Sequence, residues 1–293
     1  MPQSSQNPII GRLEEQAILE QAYESLQAEL IAIYGRRRVG KTYLVKEFFK
    51  QKPEKDCLFF YITGLKNATK KIQINLFMQE LSTTFYGDSF IGKAKSWMDA
   101  IQELHKVIIQ NTKQFSKKII IFFDEVPWLA DKKSGFLMAL EYYWNRHWSD
   151  NPLVKIMLCG SSASWIVNKV VRNKGGLHNR ITHRIELMPF KLLETKKFLE
   201  AQNFKLSLFL ILKLYFFIGG IPYYLKQLNP DYSVDENINK LFFEKKGLFF
   251  DEFDEVFSSL FDHANTYKEL VTLVAKARYG ISRQDLEKKI KLN

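Results

Sequence analysis

The residues most able to do chemistry are Gly35-Arg36-Arg37-Arg38-Val39-Gly40-Lys41-Thr42, which read G-x-x-x-x-G-K-T. This is the phosphate-binding loop pattern, credible only between a strand and a helix. An apolar run, Leu30-Ile31-Ala32-Ile33-Tyr34, precedes it, and a helix-like run opening on Tyr43 follows. Gly35 and Gly40 let the backbone curl so that its N–H groups face phosphate oxygens, with Arg36 to Val39 between them. Lys41 is expected to reach the β- and γ-phosphates and Thr42 to hold Mg²⁺. The helix that starts here adds its positive dipole end to the same anion site. A glycine-rich turn with no ligand is the competing reading, and the strand–loop–helix context argues against it.

A phosphate loop of this kind calls for an acid at the end of a second buried strand. Ile119-Ile120-Ile121-Phe122-Phe123 runs into Asp124-Glu125. Asp124 is expected at the Mg²⁺, and Glu125 is expected to polarise an attacking water as general base. A further strand ends in Gly160-Ser161-Ser162. Ser161 there could orient water or report a γ-phosphate, or it could cap the next helix; both readings stay open. Arg172, Lys174, Arg180 and Arg184 make the 172–184 stretch basic. Arg180 is the candidate for the γ-phosphate, in cis or across a subunit interface, against a solvated or nucleic-acid-facing loop.

The elements that must hold these residues follow from hydrophobic periodicity. Helices are expected over 12–27, 43–51, 67–85, 96–110, 134–148 and 163–171, with strands over 30–34, 58–63, 119–123, 154–159 and 184–187. Residues 1–8 read as a loose lead-in. From 192 onward only helical patterns occur, over 192–201, 206–217, 222–228, 235–246, 250–260, 264–278 and 282–290. Alternating strands and helices, then helices alone, predict a three-layer α/β domain with a parallel sheet followed by an all-helical region.

Composition narrows the function classes. The 293 residues carry a formal net charge of +11, which favours a polyanionic partner, though a Lys-rich composition alone would give the same excess. Cys57 and Cys159 lie in apolar runs and read as buried free thiols of a reducing, cytoplasmic environment. His105, His147, His178, His183 and His263 are scattered, with no metal-ligand spacing. The amino terminus lacks signal-peptide character, and the longest apolar run is broken by Lys213, so no membrane partner is expected. Tyr142-Tyr143-Trp144 with Trp148, interleaved with Arg146 and His147, could stack on bases, but core packing is the favoured reading.

Five ordered pieces together resemble one family. They are Ile10-Gly11-Arg12, the loop Tyr34-Gly35 to Thr42, Phe123-Asp124-Glu125-Val126-Pro127-Trp128-Leu129, Leu158-Cys159-Gly160-Ser161-Ser162, and Gly219-Gly220-Ile221-Pro222-Tyr223-Tyr224-Leu225. Over about residues 9–260 the chain is similar to the archaeal-type ATPases of the STAND/AAA+ branch of P-loop NTPases. The resemblance implies ATP as ligand, an AAA+-like core and a helical lid. It implies further that Gly11 and Arg12, with Gly220 and Pro222, flank the adenine and ribose. Relatives continue into a winged helix and a nuclease-like domain. The stretches around Tyr267 and Ile281 resemble the first two helices of that winged helix, so a truncated or split product is expected, without its DNA-reading element.

The expected organisation is a P-loop core over 1–190, a helical lid over 191–260 and an incomplete winged-helix start over 261–293. The expected function is Mg²⁺-dependent ATP binding and hydrolysis driving a conformational switch. The alternative is a nucleotide-dependent DNA-binding or protein-interaction regulator with little turnover. A homo-oligomer stays open, since an arginine supplied in trans would need one.

Overall fold

All the strands but the short last one carry largely apolar runs, and such runs are stable only when covered on both faces. The computed structural model describes residues 9–87, 92–114, 116–131, 133–171, 177, 179–260 and 264–290; the lead-in at 1–8, Arg172 and Lys174 lie outside these. The strands are β1 (Glu29–Tyr34), β2 (Cys57–Thr63), β3 (Lys118–Asp124), β4 (Val154–Gly160) and β5 (His183–Glu186). They form one sheet in the order β2-β3-β4-β1-β5, with every neighbouring pair parallel. Alternate strand residues point to opposite faces. Leu30, Ala32, Ile119, Ile121, Phe123, Ile156 and Leu158 join one core, and Ile31, Ile33, Ile120, Phe122, Met157 and Ile185 join the other.

The first helices are α1 (Leu13–Glu24), α2 (Lys41–Lys50), α3 (Lys70–Tyr86), α4 (Trp97–Gln114), α5 (Val126–Leu129), α6 (Phe136–Tyr143) and α7 (Ala163–Ile166). Leu19 and Tyr23 of α1 and Leu44, Val45 and Phe48 of α2 cover one face; Phe77 of α3, Leu104 of α4 and Leu140 of α6 cover the other. This is the expected three-layer parallel α/β fold. Ile119 to Phe123 of β3 are each 0% exposed. Burial of such side chains contributes about 1.5–3 kcal/mol apiece and keeps the carboxyl end of β3 fixed.

The single helix expected over 134–148 is present from Phe136 as one continuous run, but its winding changes part-way. Gly135, at φ 79°, opens α6, which runs into a π-helical turn at Trp144–Trp148. The wider turn keeps Trp144 and Trp148 both buried. Tyr143 is buried with them, so the aromatic group is mostly core. The histidines are less scattered than their spacing suggests. His105 and His147 stack with ring centroids 4.4 Å apart, and Trp148 Nε1 donates to His105 Nδ1 at 3.1 Å. Burial, then the neighbouring His147, lower the pKa of His105. Among the described residues, no group of three or more His, Cys, Asp or Glu side chains could hold a metal ion.

The remaining helices are α8 (Leu192–Ala201), α9 (Leu208–Ile218), α10 (Pro222–Leu225), α11 (Val234–Ile238), α12 (Glu252–Leu260), α13 (Ala264–Lys276) and α14 (Arg283–Lys289). The chain forms two compact units. The first holds Met1–Gln202 and Ile211–Lys226, and the second Asn203–Leu210 and Gln227–Asn293. The helical region that starts at 191 is therefore shared between them, with α8, α10 and most of α9 in the first unit. In the second unit, Ser233 and Glu236 cap α11 reciprocally, Lys268 pairs with Asp254 at 2.6 Å, and Ser282 caps α14. No helix among the described residues is long and apolar enough to cross a membrane.

Two backbone features of the first unit can be separated by experiment. Phe190 N–H donates to Gly220 O at 2.6 Å, and a Cβ on Gly220 would stand 1.8 Å from Phe190 O. Gly219 has φ 69° but open space around a Cβ. Gly219→Ala is expected to cost only the left-handed strain, about 1–2 kcal/mol. Gly220→Ala should cost more than that, because backbone must move. Urea denaturation of both variants checks the order, and equal losses would contradict it.

At the opposite end of the strands, Lys155 of β4 is 1% exposed, and its Nζ donates to Ser25 O (2.9 Å) and Gln27 O (2.5 Å). Burial pulls its pKa down to about 8, partly opposed by Glu29. Between pH 8 and 10.5 the unfolded chain then binds more protons at this site than the folded chain, so stability rises with pH across that window. The native unfolding free energy, measured relative to Lys155→Met, is expected to increase from pH 7.5 to 10 by on the order of 1–3 kcal/mol. A flat difference would refute the assignment.

Candidate nucleotide site

In a parallel sheet every strand ends at the same edge, and the chemistry-bearing residues sit there. The loop between β1 and α2 is shaped by three left-handed residues, Gly35 (φ 148°), Arg38 (φ 69°) and Gly40 (φ 93°). Gly35 admits the carbonyl of Leu187, which would lie 2.2 Å from an added Cβ. Lys41 is buried, and its Nζ donates to Gly35 O (2.9 Å) and Arg36 O (3.0 Å), so its ammonium spans the loop. No acidic side chain lies in the first turn of α2, leaving the amino end positive.

β4 stands between β1 and β3, yet the helix that follows β1 reaches the end of β3. Thr42 Oγ1 donates to Asp124 Oδ2 at 2.5 Å, and Asp124 Oδ1 accepts from Glu125 N–H at 3.0 Å. Beside Asp124, burial first and then the carboxylate push the Cys159 thiol well up, so it stays protonated. Burial followed by the same carboxylate raises Tyr61 to about 12. The thiol and phenol around Asp124 are thus kept neutral.

Glu125 adopts φ 47°, ψ 48°, a strained turn out of β3. Close backbone contacts hold that turn. A Cβ on Gly64 would lie 2.7 Å from Glu125 O, and one on Gly160 would lie 2.9 Å from Pro127 Cδ. Gln73, buried in α3, donates to Leu65 O and Trp128 O, tying α5 to the end of β2. Ser161 then grips the Glu125 carboxylate. Its N–H lies 3.2 Å from Oε2, and its Oγ lies 2.8 Å from both oxygens. The helix-capping alternative falls to Ser162, whose Oγ accepts from Trp165 N–H.

A second cluster flanks the loop. Arg12 is buried, with φ 57°; it donates through Nη2 to Val39 O at 3.2 Å and lies 4.5 Å over the Phe190 ring. Its guanidinium is thereby a strut for the phosphate loop. Burial lowers its pKa, against the pull of Glu15 and Glu194. Glu194 of α8 accepts from Arg12 N–H (3.0 Å) and Lys191 N–H (2.9 Å) and packs against Gly11. Arg12 and Gly220 therefore meet at Phe190, and Gly11 is joined to them through Glu194. Tyr43 is half exposed on α2. Phe190 and Glu194 escaped the sequence reading, because neither belongs to a motif.

Arg180 is not in this gathering. Thr182, two residues on, pairs with Leu30 at the amino end of β1, and β5 then runs parallel to β1 before Leu187 reaches Gly35. Arg180 thus stands exposed at the sheet edge opposite the phosphate loop, about 16 Å of strand away. The reading in cis does not survive this geometry.

A strand–loop–helix with an acid on the next strand but one defines a P-loop nucleotide-binding domain. Residues 10–228 match the family model of the ATPase domain found predominantly in Archaea, and the chain belongs to that family. An uncharacterized protein of Methanocaldococcus jannaschii is 25% identical over 268 residues, covering 91% of this chain and 54% of that protein. The chain thus spans about half the length of that relative. A short uncharacterized ATP-binding protein of the same organism is 45% identical over 51 residues, 17% of this chain and 86% of its own. Among solved structures, a Walker-type ATPase of Pyrococcus abyssi superposes with a TM-score of 0.61 at 19% identity, covering 99% of this chain and 92% of that one. The ORC2 protein of Aeropyrum pernix gives 0.53 at 15%, covering 98% and 69%.

Because Lys41 is the buried cation of the loop, Lys41→Ala is expected to weaken ATP binding at least about thirtyfold, the scale of one charge-assisted contact. Isothermal calorimetry reads this directly, and unchanged affinity would displace the site.

Proposed function

We propose that the chain binds ATP with Mg²⁺ and hydrolyses it as a nucleotide switch of the AAA+/STAND type. The observation that carries this reading is the Ser161-held Glu125 carboxylate, next to the Thr42–Asp124 pair at the mouth of the phosphate loop. Two hard oxygen donors brought together fit Mg²⁺, which takes oxygen ligands and keeps several waters. When bound, the ion would neutralise charge on the phosphates. Lys41 and the loop N–H groups hold the phosphate oxygens, Arg36 and Arg37 extend exposed beside them, and Asp124 with Thr42 holds the ion. Glu125 takes the proton of the attacking water, and Ser161 fixes the direction in which its carboxylate points. Gly11, Arg12, Gly220 and Pro222 form the wall for the base and ribose. Arg180 acts, on this reading, only from a second copy of the chain, which makes the active form a homo-oligomer. Buried free Cys57 and Cys159 support a cytoplasmic setting.

A second reading, a nucleotide-dependent regulator of DNA or protein with little turnover, is favoured by the +11 charge. Turnover measured with and without DNA on native chain, Glu125→Gln and Ser161→Ala separates the two. Hydrolysis predicts ATP binding within about threefold of native in Glu125→Gln but a kcat loss of about 10²–10⁴. Ser161→Ala should lose about tenfold in kcat at similar KM. Full activity in Glu125→Gln removes that residue from the base role; no turnover in the native chain under any condition leaves the regulator.

A further inference from the structure

The three consecutive arginines of the phosphate loop do not share one environment. Arg36 and Arg37 are exposed. Arg38 is half buried and turned away towards α10. Its guanidinium carbon lies 4.7 Å from the centre of the Tyr223 ring and 5.7 Å from that of Tyr224. Its Nη1 donates a long hydrogen bond to Tyr224 Oη at 3.5 Å. The two rings meet edge to face, 5.9 Å apart, so the cation faces an aromatic corner. Tyr224 is buried and Tyr223 more open, so the corner has one wall in the core and one towards solvent. Arg38 also occupies a left-handed backbone conformation that a non-glycine residue adopts only when its surroundings hold it there.

The backbone on either side of Arg38 is equally committed. Lys41 holds the carbonyls of Gly35 and Arg36, and Arg12 holds the carbonyl of Val39. Any shift of the loop about a phosphate therefore moves the Arg38 side chain, whose far end rests on α10. That helix is short, opens on Pro222 and is tied at Gly220 to Phe190. It ends at Leu225, one residue before the chain leaves the first unit at Lys226.

We propose that Arg38 is a positioning residue and not a phosphate ligand: with Tyr223 and Tyr224 it couples occupancy of the phosphate loop to α10, and so to the segment that carries the chain into its second unit. This rests on the nucleotide reading above and assigns to one side chain the link that a switch requires. A cation on an aromatic face suits the task. It tolerates sliding while keeping contact, and it is strong enough to bias a short helix without locking it. Lysine would keep the charge but lose the plane and the fork.

Hydrogen-exchange mass spectrometry on the full chain tests this, in Mg²⁺ with and without a saturating non-hydrolysable ATP analogue. Two regions are followed, the start of α2 and α10. In the native chain nucleotide is expected to slow exchange in both, α10 by about fivefold, the scale of one cation–π contact. Tyr223→Leu should keep the slowing at α2 and lose that at α10. Arg38→Lys should likewise lose the α10 response. Tyr223→Phe, which keeps the ring face, should retain both. An α10 response undiminished in Tyr223→Leu overturns the coupling, as does α2 protection without any α10 change in the native chain. Loss of α2 protection in Arg38→Lys at saturating analogue would make Arg38 a phosphate ligand instead. Absence of α2 protection in the native chain would instead overturn the nucleotide reading itself.

Discussion

The hydrogen bond from Thr42 to Asp124 is the contact around which the site is assembled. It joins the first turn of α2, the helix that follows β1, to the end of β3, and β4 lies between those two strands in the sheet. That is possible only because the sheet is parallel throughout and its strands end together. Once helix and strand meet, the intervening β4 delivers Ser161 to the same place, and Glu125, one residue beyond Asp124, finds its partner there. The buried thiol and phenol around Asp124 follow from the same geometry. They surround the carboxylate with groups that remain neutral.

A second set of constraints comes from positions where two backbones come too close for a side chain. Gly35 against Leu187, Gly64 against Glu125 and Gly160 against Pro127 all lie at the carboxyl edge of the sheet. They allow the loop, the acid turn and the end of β4 to crowd into one small area. The strained backbone of Glu125 is held by this crowding and by Gln73, together with the grip of Ser161 on its carboxylate.

What could be read from the chain alone was whatever is written locally. The phosphate loop, the acids after an apolar strand and the serine after another are each contiguous patterns, and so are the apolar runs of the first four strands. The partners of those residues were not legible. Glu194 lies 182 positions from Arg12, and nothing near it in sequence announces the contact. His105 and His147 come together only because a π-helical turn, invisible to periodicity, carries the second round to the first. The arginine triplet looked uniform, yet its third member belongs to a different neighbourhood. Arg180 is the instructive case. A residue just before a parallel strand lies at the edge opposite to a loop that follows one, so its distance from Lys41 was implicit in the strand assignment itself.

The division of the chain into units also bears on the order in which the protein can be made. The sheet is complete once Glu186 has been synthesised, but the wall beside the phosphate loop is not. Phe190 meets its backbone partner only when Gly220 arrives, and Arg38 meets its aromatic corner three to four residues later. In between, residues Asn203–Leu210 belong to the second unit. A ribosome adding about 5–20 residues per second would leave the loop without that wall for seconds. The first unit is thus discontinuous in the chain, and its last contacts form only after a stretch of the second unit has been made.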